Sequence, residues 1–313
     1  MYITLEKATQ LLNNNDIVAL PTETVYGLAA AFDSEIAVKK VFTTKNRPLN
    51  HPLILHVSSI SMAKKYVENW SIIHETLATQ FWPGPLTILT EKSSLVSDLI
   101  TAGSSKVALR IPNHPLFLSV IDKIDRPLVA PSANPHQKTS PTTAEHVEQL
   151  FSGKVAVLDG DTCEVGLEST ILEIMNLDPL TLFIARPGFI NAKDIENILI
   201  EKLNLKPNWT NSSKANAPGS QKIHYQPSYP LISTNRLNHP EIIKYQNENI
   251  CKIVTVDDDA DAVFKNIYSI LHKLKNNVKN ESIILNITKL STNNPRWLAV
   301  IDRLSKASIF TCF

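Results

Sequence analysis

Cysteine, glycine and arginine are all scarce in this chain, and each scarcity removes a class of protein. Only three cysteines, Cys163, Cys251 and Cys312, stand in 313 residues. They lie far apart without CxxC spacing, which excludes a disulfide framework and gives no sign of a zinc site, so no metal ligands are expected. All eight glycines fall at or before Gly219, so the rest of the chain has none for a GxGxxG or GxxxxGK[ST] phosphate loop. No apolar run is long enough to span a bilayer, and Glu6 and Lys7 interrupt the opening stretch where a signal peptide would be apolar. These absences lead us to expect a cytoplasmic protein with no membrane partner.

An excess of positive charge is missing too. The net charge is +1, far from the basic balance of proteins that hold long nucleic acids through phosphate neutralisation. Residues 1–205 carry 17 Lys+Arg against 22 Asp+Glu, and residues 206–313 carry 14 against 8. With 43% hydrophobic and 19% charged residues the chain has an ordinary globular composition, and its length suits two domains.

Periodicity predicts an α/β order. Thr4 caps a helix whose apolar positions are Leu5, Ala8, Leu11 and Leu12, ending in Asn13, Asn14 and Asn15. Asp33 or Ser34 caps a second helix through Phe42. Strands are predicted over 17–20, 53–57, 86–90, 107–111, 128–130, 155–158, 170–174 and 181–184, with helical patterns over 61–67, 72–81, 114–123 and 146–151. Thr142 and Glu145 have capping-box spacing before the last of these. Residues 206–230 concentrate Pro, Asn and Ser without hydrophobic periodicity, as a connector does. We therefore divide the chain into a mixed α/β domain over 1–205, a linker over 206–230 and a small α/β domain over 231–313. In the last, strands over 250–256 and 283–286 alternate with helices over 260–275 and 296–307.

Five clusters at strand ends carry chemistry. The first is Pro21-Thr22-Glu23-Thr24-Val25-Tyr26-Gly27, either a polar turn or a ligand-binding strand end before a glycine turn. The second is Lys45-Asn46-Arg47-Pro48, a cation pair suited to a polyphosphate, followed by His56 on an otherwise apolar strand. The third is Arg110 inside the apolar run Val107 to Ile111; an unpaired buried guanidinium is too costly, so a carboxylate or an anionic ligand must meet it. The fourth is Ser132-Ala133-Asn134 with Ser140-Pro141-Thr142, and the fifth is Glu168-Ser169-Thr170 with Arg186. Each supplies hydroxyl, amide or guanidinium donors suited to phosphate or a base edge.

These clusters in this order, with Phe81-Trp82-Pro83-Gly84-Pro85-Leu86-Thr87 between them, resemble the YrdC-like family of L-threonylcarbamoyladenylate synthases over residues 5–190. The stretch 217–227, containing His224-Tyr225-Gln226-Pro227, is similar to the linker of the family's long, two-domain form, as is the final helical run 297–307. The resemblance implies a twisted, open mixed sheet with a large cleft, plus a small Rossmann-like domain. It implies a nucleotidyltransferase that joins L-threonine, bicarbonate or CO2, and ATP with Mg2+ into threonylcarbamoyl-AMP and pyrophosphate. A downstream transferase then modifies the adenosine next to the tRNA anticodon, so direct tRNA binding is expected to be weak or absent.

Carried over, the resemblance gives Lys45 and Arg47 to the ATP phosphates and catalysis, with His51, Lys106, Ser132, Asn134, Ser140, Arg186 and Tyr225 around the nucleotide. It gives Thr24, His56, Arg110, Ser132 and Ser169 to threonine, and it makes 217–227 a lid. Four departures stand out: Asn46 for a usual glycine, His51 for asparagine, His136-Gln137 for Ser-Gly, and Ile223 for arginine. Two rival readings use the same residues: an RNA-binding module, against which the negative first half argues, and a carbamoyl-transfer protein of hydrogenase-maturation type, whose paired-cysteine modules are missing here.

Overall fold

The structure, a computed structural model, describes residues 1–212, 218, 224–275, 281–291 and 294–313. It divides into two compact units, one of Met1–Pro135 with Pro141–Ser220 and the other of His136–Ser140 with Gln221–Phe313.

The first unit is built on eleven strands. In chain order these are β1 (Tyr2–Ile3), β2 (Val18–Leu20), β3 (Gly27–Ala31), β4 (Ile54–His56), β5 (Leu86–Glu91) and β6 (Lys106–Arg110). They continue as β7 (Leu128–Val129), β8 (Val157–Leu158), β9 (Thr170–Leu177), β10 (Leu180–Arg186) and β11 (Asn208–Trp209). Their order across the mixed sheet is β1-β8-β2-β3-β7-β4-β6-β5-β9-β10-β11. At one edge β1 runs parallel to β8, with Tyr2 opposite Val157.

Alternation along each strand makes this sheet two-faced. Val18, Leu20, Ala29, Leu128 and Leu158 pack with helices Leu5–Asn13 and Pro115–Ile124 in one buried cluster. Ala19, Leu28, Ala30, Leu55, Leu109 and Val129 join the opposite one, with Val38, Val41 and Phe42 of helix Glu35–Lys45. Leu12 is wholly buried, which is worth about 2 kcal/mol relative to exposure.

Local signals explain most helix ends. Thr4, Ser34, Ser59 and Ser71 each accept a backbone N–H as N-caps. Thr143, not Thr142, caps helix Ala144–Phe151 by accepting from the His146 N–H, so the cap stands one residue after the one read from the spacing and Glu145 is not its box partner. Gly27 also differs from expectation: it opens β3 and pairs with Ser132 rather than making a turn. A Cβ there would stand 3.0 Å from that of Ala130, so glycine allows the close approach.

The second unit holds a four-stranded, all-parallel sheet of order β13-β14-β12-β15. Its strands are β12 (Leu231–Thr234), β13 (Cys251–Val256), β14 (Ser282–Ile287) and β15 (Phe310–Cys312), with helices Pro240–Glu248, Ala260–Lys275 and Pro295–Ala307. Ile232, Ile242, Ile284 and Cys312 form one of its buried clusters. Within the stretch expected to be a connector, Asn208–Trp209 adds β11 to the first sheet. Most of the expected lid, Ile223 included, lies outside the described residues. No helix among the described residues is long and apolar enough to cross a membrane.

Candidate functional site

Helix Glu35–Lys45 turns Val38, Val41, Phe42 and Lys45 inward, a run at helical spacing that carries the lysine into the interior. Lys45 is 1% exposed, and its Nζ donates to the carbonyls of Ser132, at 2.5 Å, and Asn134. Burial first, and then the charge of Arg47, pulls its ammonium well below the usual lysine range. A cation presented to open polyphosphate was expected here; the structure instead makes Lys45 the clamp that holds the Ser132–Asn134 loop. Asn46 ends the helix at φ +51 in the left-handed region, and the Arg47 N–H reaches back to the Phe42 carbonyl at 2.9 Å. Asparagine tolerates that conformation better than most residues, which accounts for its standing where the family has glycine. Arg47 is only half-buried and donates through Nη2 to the Pro52 carbonyl at 3.0 Å. His51, also half-buried, has its pKa lowered by burial and then by Arg47.

The strand pair β4 and β6 places His56 directly opposite Arg110. Arg110 is buried, and its Nη2 lies 2.7 Å from Glu23 Oε2 while Nε donates to the Gly84 carbonyl at 3.1 Å. The chain's own carboxylate thus meets this guanidinium, and Nη1 is left without an acceptor among the described residues. Gly84 is required for this turn, because a Cβ would come within 2.4 Å of the Phe81 carbonyl oxygen. His56 is fully enclosed against Phe117; burial, reinforced by the Arg110 charge, lowers its pKa to about 3, so the imidazole is neutral. Beside Glu23, Thr22 Oγ1 accepts the Thr24 and Val25 N–H groups, both at 3.1 Å, and stands 2.9 Å from Thr24 Oγ1. Cys163 is also buried; desolvation and the Glu23 charge push its thiol up to about 12, which keeps it protonated.

A third cluster joins the starts of β5 and β9 to the end of β10. Thr87 Oγ1 and Ser169 Oγ are 2.7 Å apart, Arg186 Nη2 donates to Ser169 Oγ at 3.1 Å, and Arg186 Nε donates to the Ser169 carbonyl at 3.0 Å. Thr87 was not singled out from the sequence, although it closes the Phe81–Thr87 motif. Lys106 stands apart from these groups. It opens β6, four residues and roughly 13 Å along the strand from Arg110, and pairs with Glu173 at 2.7 Å.

Ser140 and Tyr225 belong to the second unit. Ser140 is fully buried, with its carbonyl 3.0 Å from His272 Nε2. Tyr225 is 1% exposed at φ +64, edge-on to His224 with ring centroids 3.9 Å apart and 5.2 Å from the Arg303 guanidinium carbon. Gln137, where the family has glycine, sits at φ +66, and its carbonyl accepts the Gln226 N–H at 2.7 Å.

Comparison with known proteins shows the family and the fold. The Sua5/YciO/YrdC family model, described as telomere recombination, matches residues 10–188. A second, described as the threonylcarbamoyl-AMP synthase C-terminal domain, matches residues 190–308. The threonylcarbamoyl-AMP synthase of Pyrococcus abyssi is 35% identical over 96% of this chain and 93% of its own. That of Bacillus subtilis is 39% identical over 75% of this chain and 69% of its own. The crystal structure of P. abyssi Sua5 complexed with L-threonine superposes with a TM-score of 0.87 at 29% identity, covering 100% of this chain and 99% of that one.

Proposed function

The chain belongs to the Sua5/YciO/YrdC family of threonylcarbamoyl-AMP synthases, in the long form with a C-terminal domain, and we propose how its residues divide that reaction. L-Threonine, bicarbonate or CO2, and ATP carried as its Mg2+ complex give threonylcarbamoyl-AMP and pyrophosphate. The product passes to a separate transferase in the cytoplasm, which modifies the adenosine next to the tRNA anticodon; the synthase itself needs no tRNA.

One observation carries the assignment of the threonine side: Arg110 commits one terminal nitrogen to Glu23 and keeps Nη1 for an anion. A threonine carboxylate suits that position, since a charge-assisted hydrogen bond to a dry guanidinium is strong. His56 stays neutral and adds no charge to repel the substrate ammonium. Thr24 and Ser169 offer hydroxyls to the amino acid. Once the amine loses its proton and takes up CO2, a carbamate oxygen attacks the α-phosphorus and the bond to pyrophosphate breaks. Arg47 would neutralise part of the leaving charge, and Mg2+ arriving with ATP would supply further positive charge there. Lys45 acts one step back, holding the Ser132 and Asn134 backbone so that their side chains meet the nucleotide.

Mass spectrometry of the untreated reaction mixture tests this directly. Mg2+, ATP, threonine and bicarbonate should yield threonylcarbamoyl-AMP and pyrophosphate without tRNA, and omitting threonine or bicarbonate should abolish the product. L-Serine lacks one methyl, worth about 1–3 kcal/mol, so it should react poorly but measurably. ADP with phosphate, or no threonine-dependent adduct, would overturn the reading in favour of a binding module.

A further inference from the structure

Helix Pro240–Glu248 begins just after β12, and Cys312 ends the neighbouring strand β15. The parallel register sets Thr234 opposite Cys312; Thr234 Oγ1 donates to the Cys312 carbonyl at 2.8 Å and the Asn235 N–H to the same oxygen at 3.3 Å. The cysteine is thereby fixed at the carboxyl edge of a parallel sheet, where α/β folds place ligands. His239 caps the helix, its Nδ1 accepting the Glu241 N–H at 3.3 Å. Cys312 Sγ lies 3.6 Å from that Nδ1 and 3.9 Å from Glu241 Oε2, and the three ligand atoms all fall within 4.8 Å of one another.

Those spacings suit one ion. A tetrahedral zinc with a sulfur at about 2.3 Å and a nitrogen at about 2.0 Å separates the two donors by about 3.5 Å, close to the 3.6 Å found between Cys312 Sγ and His239 Nδ1. We propose that His239, Glu241 and Cys312 form a zinc site of the second unit, with water in the fourth position. Thiolate and imidazole select a borderline-soft divalent ion over Mg2+, which keeps this site distinct from the ion that accompanies ATP. Binding moves the Cys312 proton to solvent, breaks the Glu241 N–H bond to His239 Nδ1, whose single lone pair the metal takes, and replaces the thiol's weak contact with Glu241 by metal bonds. The ion ties β15 to the segment leaving β12, a structural clip. Cysteine spacing gave no hint of it because two of the three ligands are not cysteines and the third is delivered by strand register.

Cobalt titration of the full, metal-free chain tests the site. One equivalent of Co2+ should bind with a thiolate-to-cobalt charge-transfer band in the near ultraviolet, displaced by Zn2+ but not by Mg2+. Cys312→Ser should remove the band, Cys251→Ser should leave it, and Glu241→Gln, on an exposed side chain that does not threaten folding, should weaken Co2+ binding at least about tenfold. Absence of the band, its survival in Cys312→Ser, or its displacement by Mg2+ would overturn the site. Should Cys312→Ser fail to fold, unchanged affinity in Glu241→Gln would do the same.

Discussion

Glu23 and Arg110 meet as an ion pair of 2.7 Å with both side chains 4% exposed, although one stands in the loop after β2 and the other ends β6. Removing one partner leaves a buried charge without its counterion, so Glu23→Gln or Arg110→Ala alone should cost about 3–5 kcal/mol in urea unfolding. The pair Glu23→Leu with Arg110→Met should recover much of that, because a buried ion pair is replaceable by apolar packing. Threonine use should stay lost in this stable double variant; a normal threonine KM there would make the arginine structural only.

Lys45 and Arg47 should separate in their effects. Lys45→Met removes an ammonium from two buried carbonyls, at roughly 1.5–3 kcal/mol for each charged hydrogen bond, so it lowers the thermal midpoint together with ATP use. Arg47→Ala, on a half-buried side chain, should raise the ATP requirement with little change in midpoint. Equal destabilisation by the two would argue against the division of roles.

His56 makes the protein sensitive to acid. Its folded pKa is about 3 against an ordinary value of 6.5, so the unfolded chain takes up the proton first. Its contribution to stability is complete above 6.5 and is lost as the pH falls toward 3, at about 2 kcal/mol by about pH 5. His74, lowered by burial to about 4, adds to the same slope. Urea midpoints measured across this window should fall less steeply in His56→Gln than in the parent; parallel curves would show that this histidine does not titrate on unfolding.

Asn46→Gly should be neutral or slightly stabilising, whereas Asn46→Val should cost about 1–2 kcal/mol, because only the backbone conformation at φ +51 is at stake. Thermal unfolding of the two variants tests this, and equal midpoints would show that the helix end rearranges.

The sheet of the first unit was largely legible because its strands are apolar runs bounded by turns. The first strand of the second unit, β12, is four residues long, and helix Pro240–Glu248 carries just two isoleucines, so neither rises above a polar background. In the site, hydroxyls and cations could be read as a cluster, but their partners could not. The spacing of Lys45 from Arg47 suggests a phosphate ligand, while the stripe of Val38, Val41 and Phe42 in the same helix already points Lys45 inward. The carbonyls that receive it and the glutamate that meets Arg110 come from loops distant in sequence, and the cysteine beside His239 from a distant strand, so only the tertiary fold brings them together.

The pairing of β1 with β8 has a consequence for synthesis on the ribosome. Val157, the partner of Tyr2, is made 155 positions after it. At roughly 5–20 residues per second that is a wait of about 8–30 s, during which the strand has no neighbour to complete it. Helix Leu5–Asn13 is better placed for that interval, since its bonds are internal and its cap is the adjacent Thr4. The nascent chain can therefore order that helix early while the sheet edge beside it stays open until Val157 and Leu158 have been made.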